Sequence, residues 1–525
     1  MKLLKEQLIL IVMLLVSSTV LSGASPALEA GFVQPPNSVR PWVYWFWING
    51  NISKEGITAD LEAMQRVGIG GVLIMEVDPG LPAGPVSFAS AQWLELFRFA
   101  CEEAKRLGLE VNFNNDAGWA GSAGPWITPE LSMQKVVWTE TEIHGPRHFE
   151  EVLPEPKRVA GYYRDIAVLA FPTPLDDTYR IADIDLKASF ISKSSPYGSK
   201  MGIPSLPITF AELPIEKKID RSQILNLTAK MKNGILSWDV PEGNWTVLRF
   251  GHTSTGKDNH PTPESGRGLE CDKLSKAAIE VHFAAFLEKI LAEVGPLAGQ
   301  TLVSTHIDSW ESDSQNWTPL FREEFQKRNG YDLLPFLPVL TGRVLGGLEI
   351  SERFLWDFRK AISDLLNDNY AGRLRQLANQ HGLRLSIEAY DNTPGDDMSY
   401  AGRADEPQAE FWFGRDYFPG VYRSWEWCAG AVSAAHVYGK PIVAAEAFTS
   451  MPGENWLAHP ASIKSLGDWA FCEGINRFIF HRYAMQPWKD RKPGMTMGAW
   501  GLHYERTQTW WEQTKPWHEY VARCQ

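Results

Sequence analysis

Short runs of apolar residues, each ending on an acid or amide and each followed by a segment of helical spacing, constrain this chain more than any other feature. Residues 302–307 run into Asp308 and Glu311, residues 383–387 into Glu388, and residues 441–445 into Glu446. A strand apolar on both faces belongs to a parallel sheet covered by helices. Near the amino terminus the alternation is regular. A strand over 42–47 is followed by a helix over 54–67, opened by Ser53 and closed by Gly68. A strand over 72–75 ends in Glu76, and a helix over 91–107 is opened by Ser90 and closed by Gly108. A strand over 109–113 ends in Asn114, Asn115 and Asp116. Successive βα units imply parallel strands with right-handed crossovers. The predicted fold class is therefore α/β, a (β/α)8 TIM-like barrel with an inserted, mostly-β module.

The predicted organisation has four parts. Residues 1–24 read as a secretory signal: Lys2 and Lys5, an apolar run over 8–16, then small residues to Ala24. Such a segment implies a secreted or periplasmic protein, and no other apolar run is long enough to span a membrane. Residues 25–135 carry the first part of the barrel. Over 136–241 the rhythm breaks into short β-like pieces separated by Pro, Asp and Lys, which reads as the inserted module. Residues 242–525 resume the barrel, starting with a strand over 245–250. The short segment around Glu410 either takes one of the eight places in the ring or lies outside it, and the count of strand candidates leaves both open. A helix is expected from 504 to the last residue, as if the chain continued into further domains.

Composition narrows the function. A formal net charge of −12 and the lack of a long basic run argue against a nucleic-acid partner. The five cysteines are few and widely spaced, giving neither a disulfide framework nor a CxxC metal pattern. The 22 tryptophans are many, and several stand beside Gly, Asn or Pro, as Trp119 and Trp126 do. Flat rings with one polar edge suit stacking on sugar faces, although most will be core. A Gly-rich stretch over 118–126 allows close backbone approach to a ligand, but it lacks the Gly-Lys-Ser/Thr ending of a phosphate loop.

Carboxylates converging on the carboxyl-terminal mouth of a barrel are the equipment for splitting a glycosidic bond. Taken singly, each of Asp308, Glu311, Glu388 and Glu446 reads equally well as a helix cap or an ion-pair partner. Their recurrence is the signal. Glu76, Asn114, Asp116, Asp308, Glu388 and Glu410 offer oxygens for a hard cation, with no EF-hand loop among them. His252, His306 and His481 fall near strand ends, where each can meet a sugar hydroxyl or be satisfied within the fold. Trp119, Asp308, Trp310, Glu388 and His481 are the candidate substrate-binding residues.

Several stretches together resemble the catalytic part of glycoside hydrolase family 106, the α-L-rhamnosidases. They are Pro41-Trp-Val-Tyr-Trp-Phe-Trp-Ile-Asn-Gly50, Gly118-Trp119 with Gly124-Pro-Trp126, Gly268-Leu-Glu-Cys-Asp-Lys273, His306-Ile-Asp-Ser-Trp-Glu311, Ala445-Glu-Ala-Phe-Thr449 and Pro493-Gly-Met495. The resemblance implies hydrolysis of α-L-rhamnosides with inversion, in a site that holds calcium. It implies Glu311 and Glu446 as the catalytic pair, with Glu311 as general acid and Glu446 as general base. It places Glu410 near the calcium, and Asn114 is the second candidate ligand. The expected partner is a rhamnose-containing oligo- or polysaccharide. Two other readings remain: a barrel glycosidase of another sugar, possibly retaining, and a non-catalytic carbohydrate-binding barrel. A nucleotide-dependent enzyme is disfavoured because no GxGxxG or Walker loop follows a strand.

Overall fold

The structure is a computed structural model that describes residues 26–192, 210–390, 393–414, 421–450 and 454–525. The predicted signal segment lies outside the described residues. Eight parallel strands close into a barrel. In chain order they are β1 (Trp42–Ile48), β2 (Gly71–Val77), β3 (Glu110–Ala117), β9 (Leu302–Ile307), β10 (Arg384–Glu388), β11 (Glu406–Trp412), β12 (Ala444–Thr449) and β13 (Arg477–Ala484). The last closes the ring by pairing with the first.

The alternation of side chains along each strand divides the interior in two. Val43, Trp45 and Trp47 of β1 point outward and pack with Ile57, Leu61 and Phe97 of the surrounding helices. Trp42, Tyr44, Phe46 and Ile48 point inward and pack with Leu73, Met75 and Ile479 in the lumen. Each fully buried large apolar side chain contributes about 1.5–3 kcal/mol. The helices begin where the caps predict. Ser53 accepts from the Gly56 N–H and Ser90 from the Trp93 N–H, while Gly68 and Gly108 close their helices.

The inserted module grows between β3 and β9. Its long strands β4 (Gln134–Val152) and β8 (Ile235–Ser254) pair antiparallel, and β5 (Arg164–Pro172) lies on the other side of β8. Two short strands, β6 (Leu225–Asn226) and β7 (Met231–Lys232), complete the sheet. It has its own core, including Ile143, Phe149, Val168, Leu236, Trp238 and Val247.

Two expectations are corrected and one open alternative is decided. Residues 245–250 are the second half of β8, so the module runs through residue 241 and the barrel does not resume there. This half is buried on both faces, which gives it the same composition as a barrel strand. Glu410 belongs to β11, which takes a full place in the ring. The helix expected from 504 starts only at Lys515. Before it, Tyr504 stacks on Phe480 at 4.5 Å and Trp511 packs against Tyr483, so aromatic burial overrides local helical spacing. No described helix is long and apolar enough to cross a membrane.

Candidate active site

Acids at the carboxyl ends of β9 to β12 meet inside the barrel mouth. Asp308 extends β9, Glu388 ends β10, Glu410 lies in β11 and Glu446 in β12, and all four are buried. Register brings them together: Glu410 is opposite Glu446, and Glu388 is opposite Gln408. Two tyrosines bridge them. The Tyr44 hydroxyl donates to Glu388 at 2.9 Å and accepts from the Gln408 amide at 2.5 Å. The Gln408 amide also donates to Glu388 at 2.7 Å. The Tyr390 hydroxyl lies 2.9 Å from Glu388 and 2.6 Å from Glu410. A phenol has one proton, so both contacts are hydrogen bonds only when one of those carboxyls is itself protonated.

The electrostatics agree. Burial and the neighbouring Asp308 hold Glu388 well above the usual carboxyl range. Burial and Glu388 do the same to Glu410, and burial with Glu410, Glu388 and Asp308 to Glu446. Burial pushes Asp308 up to about 7 against the opposing Ser309 N–H, with Glu311 adding to the rise. The acids form an arc. Glu446 is flanked by Glu410, Glu388 and Asp308, whereas Glu311 lies next to Asp308.

The two ends of the arc differ. Glu446 accepts a hydrogen bond from the Thr449 hydroxyl and lies 3.7 Å from His481 Nε2. Burial, helped by Arg482, keeps His481 neutral. Glu311 is 20% exposed, with one carboxyl oxygen 3.3 Å from His260 Nε2 and the other 3.4 Å from the Ser309 hydroxyl. Between the ends lies an aromatic wall. The Tyr44 ring packs edgewise on His306 and His481, Phe46 on His481 and Trp119, and Trp119 on Trp500.

The donor set fits a hard cation. Oxygens of Asp308 and Glu388 lie with a His306 nitrogen within 4.8 Å of one another, and Tyr390 joins Glu410 to them. Two buried amide oxygens, Asn114 Oδ1 and Gln408 Oε1, have no hydrogen-bond donor. Unpaired oxygens among crowded carboxylates are what calcium uses. His306 fits less well, since its nitrogens already face Ser386 and Asp308.

Of the residues singled out in the sequence, Asp308, Glu388, Glu410, Glu446 and His481 come together. Glu311 stands at the end of the arc, Trp119 on the aromatic wall, and Asn114 beside His306 in register. Trp310 does not face the mouth. It is buried in the core between barrel and helices, its indole donating to the Asp313 carbonyl and its ring lying under Lys273 and against Tyr370. Glu76 also turns outward, accepting from the Gly50 N–H and the Trp93 indole. Asp116 binds the Ala123 N–H and the Asn114 amide, bracing the glycine-rich loop. His252 sits in β8 against Gln134 and Trp317. Tyr44, Tyr390, Gln408 and His260 were not foreseen. Tyr44 lies in an unbroken apolar run, and only the period-two alternation of β1 marks it as facing inward.

The comparisons fit this geometry. Residues 33–525 match the α-L-rhamnosidase family, glycoside hydrolase family 106. A rhamnosidase from Novosphingobium sp. PP1Y superimposes with a TM-score of 0.84 at 28% identity, over 95% of this chain and 60% of that one. A Formosa agariphila protein carrying a provisional β-glucuronidase name is 44% identical over 499 residues, covering 95% of this chain and 41% of its own length. The chain thus spans under two thirds of both. With an acid arc at the barrel mouth and a match across nearly the whole sequence, the chain belongs to the α-L-rhamnosidase family of glycoside hydrolases.

Proposed function

We propose that the protein is an exported hydrolase that removes terminal α-L-rhamnosyl residues from oligo- or polysaccharides with inversion. The observation that carries this reading is the asymmetry of the acid arc: one carboxyl stands partly exposed at its end and another is buried at the opposite end. The leaving group must depart toward solvent, which suits Glu311 as the acid. Its proton passes to the glycosidic oxygen as the bond from that oxygen to the anomeric carbon breaks. Glu446 takes a proton from the water that attacks the opposite face of the ring. Inverting pairs stand about 6.5–9.5 Å apart to leave room for that water. A pair placed at the two ends of the arc, each with its own set of neighbours, supports that arrangement. Thr449 and His481 orient Glu446. Calcium held by Asp308, Glu388 and Glu410 would anchor sugar hydroxyls and offset the repulsion among these carboxylates. The aromatic wall of Tyr44, Phe46, Trp119 and Trp500 suits the apolar face and methyl group of a deoxy sugar. Export rests on the charged and apolar pattern of residues 1–24.

The name of the F. agariphila relative favours a second reading, a β-glucuronidase. A glucuronide carries a carboxylate, which a basic side chain at the mouth would have to meet. The buried guanidinium of Arg482 is committed to Trp500, Gly498, Thr496 and Glu505. The test is proton NMR of an aryl α-L-rhamnoside and an aryl β-glucuronide with calcium present. Release of β-L-rhamnose first is the expected result. Release of α-L-rhamnose first overturns inversion, and turnover of the glucuronide alone overturns the choice of sugar.

A further inference from the structure

We infer that His260, on the segment returning from the inserted sheet to the barrel, is the positioning residue of the proton donor Glu311. The inference rests on the reading of Glu311 as the acid. His260 Nε2 lies 3.3 Å from one Glu311 oxygen, while the Ser309 hydroxyl holds the other at 3.4 Å. A carboxyl flanked at both oxygens has few orientations open to it, and an acid catalyst must present its proton along one direction. As the proton leaves, negative charge develops on Glu311, and an imidazole N–H beside it stabilises that charge. The contact with Glu311 also raises the pKa of His260.

The segment that carries the ring is fixed to the barrel on both sides. The Asn259 amide donates to the carbonyls of Ala117 and Gly266, and its oxygen accepts from the Gly268 N–H. The His260 carbonyl accepts from the Trp119 N–H at 3.0 Å, and the Pro261 carbonyl from the Asp78 N–H at 3.2 Å. The fit is close enough to need glycine opposite. A Cβ on Gly118, at φ +93°, would lie 2.7 Å from the His260 carbonyl oxygen. His260 thus joins the catalytic mouth to Trp119 through its backbone and to Glu311 through its ring. The inserted sheet, otherwise remote from the acids, contributes to the reaction through this return segment.

Leaving-group dependence tests the inference. A dinitrophenyl rhamnoside departs with little protonic help, and an alkyl rhamnoside needs it. For His260→Ala, kcat/KM should fall tenfold or more on the alkyl substrate and stay within about threefold on the dinitrophenyl one. His260→Gln, whose amide can place an N–H near the same Glu311 oxygen, should recover most of the loss. Equal losses on both substrates, no loss on either, or no recovery in His260→Gln overturn the inference. Glu311→Gln, measured alongside, separates the two layers. If Glu311→Gln itself lacks the leaving-group dependence, the acid role of Glu311 falls. If it shows the dependence and His260→Ala does not, only the role of His260 falls.

Discussion

Glu446 occupies a place where an ionised carboxylate is hard to hold, because it is buried beside Glu410, Glu388 and Asp308. The Thr449 hydroxyl donates to it, and a neutral His481 lies 3.7 Å away. Replacing either member of the proposed pair, Glu311 or Glu446, by glutamine keeps the shape and removes the proton chemistry. Glu446→Gln and Glu311→Gln should each lower kcat on an alkyl rhamnoside by about 10²–10⁴, with rhamnose binding by calorimetry retained. Glu76 gives a residue-scale test away from the site. Burial holds its carboxyl up at about 8, despite hydrogen bonds from Gly50 and Trp93. Between the ordinary carboxyl range and that value the unfolded chain releases a proton that the folded one keeps. Stability is therefore lost as pH rises through this window. Glu76→Gln does not titrate, so its urea midpoint should gain on the wild type between pH 5 and pH 8. A gain worth about 2–4 kcal/mol is expected.

At the scale of elements, the strands carry the acids and the loops after them set their neighbours. The loop after β13 folds back over the mouth. The Leu502 N–H donates to the His481 carbonyl, and the Gly501 N–H donates to the Ser450 carbonyl beyond β12. Gly501 has φ +72°, and a Cβ there would lie 2.4 Å from His481 Nδ1. Gly501→Ala should displace His481 from Glu446, lowering kcat at least about tenfold and stability by about 1–3 kcal/mol. Helix caps behave differently. Ser53→Ala and Ser90→Ala remove one capping bond each and should cost about 1 kcal/mol in thermal unfolding with kcat unchanged. A change in kcat in either cap variant would show that the helices transmit to the mouth.

For the molecule as a whole, the main burden is the concentration of buried acids on one side of the ring. On the proposed reading, a cation held by Asp308, Glu388 and Glu410 would bind the folded chain and not the unfolded one, and so would stabilise it by mass action. Exhaustive chelation should abolish turnover and lower the unfolding midpoint by roughly 2–5 °C, with calcium restoring both. Glu410→Gln should weaken the restoration of the midpoint by calcium. An unchanged midpoint and unchanged turnover after chelation would remove calcium from the site.

Legible from the chain alone were the βα alternation, the caps at Ser53 and Ser90, and the place of Asp308 and Glu388 at strand ends, whereas the strand expected over 441–445 runs from Ala444 to Thr449 and carries Glu446 within it. These follow from covalent neighbours, because a strand buried on both faces and its polar terminus are local patterns. Tertiary structure decided the rest. Residues 245–250 read as a barrel strand but belong to the inserted sheet, since a strand covered on both faces has one composition in either setting, and only the closed ring gives the Glu410 segment its place. Trp310 and Glu76 have the right residue type near a strand end, yet they point away from the mouth: Glu76 falls on the outward pleat of β2 with Val72 and Ile74, and the turn after β9 sends Trp310 into the core. The bond from Tyr44 to Glu388 spans 344 residues and exists only because β13 closes the ring onto β1. Which acids share a field is fixed by inter-strand register around a closed barrel, a long-range property that no stretch of the chain encodes alone.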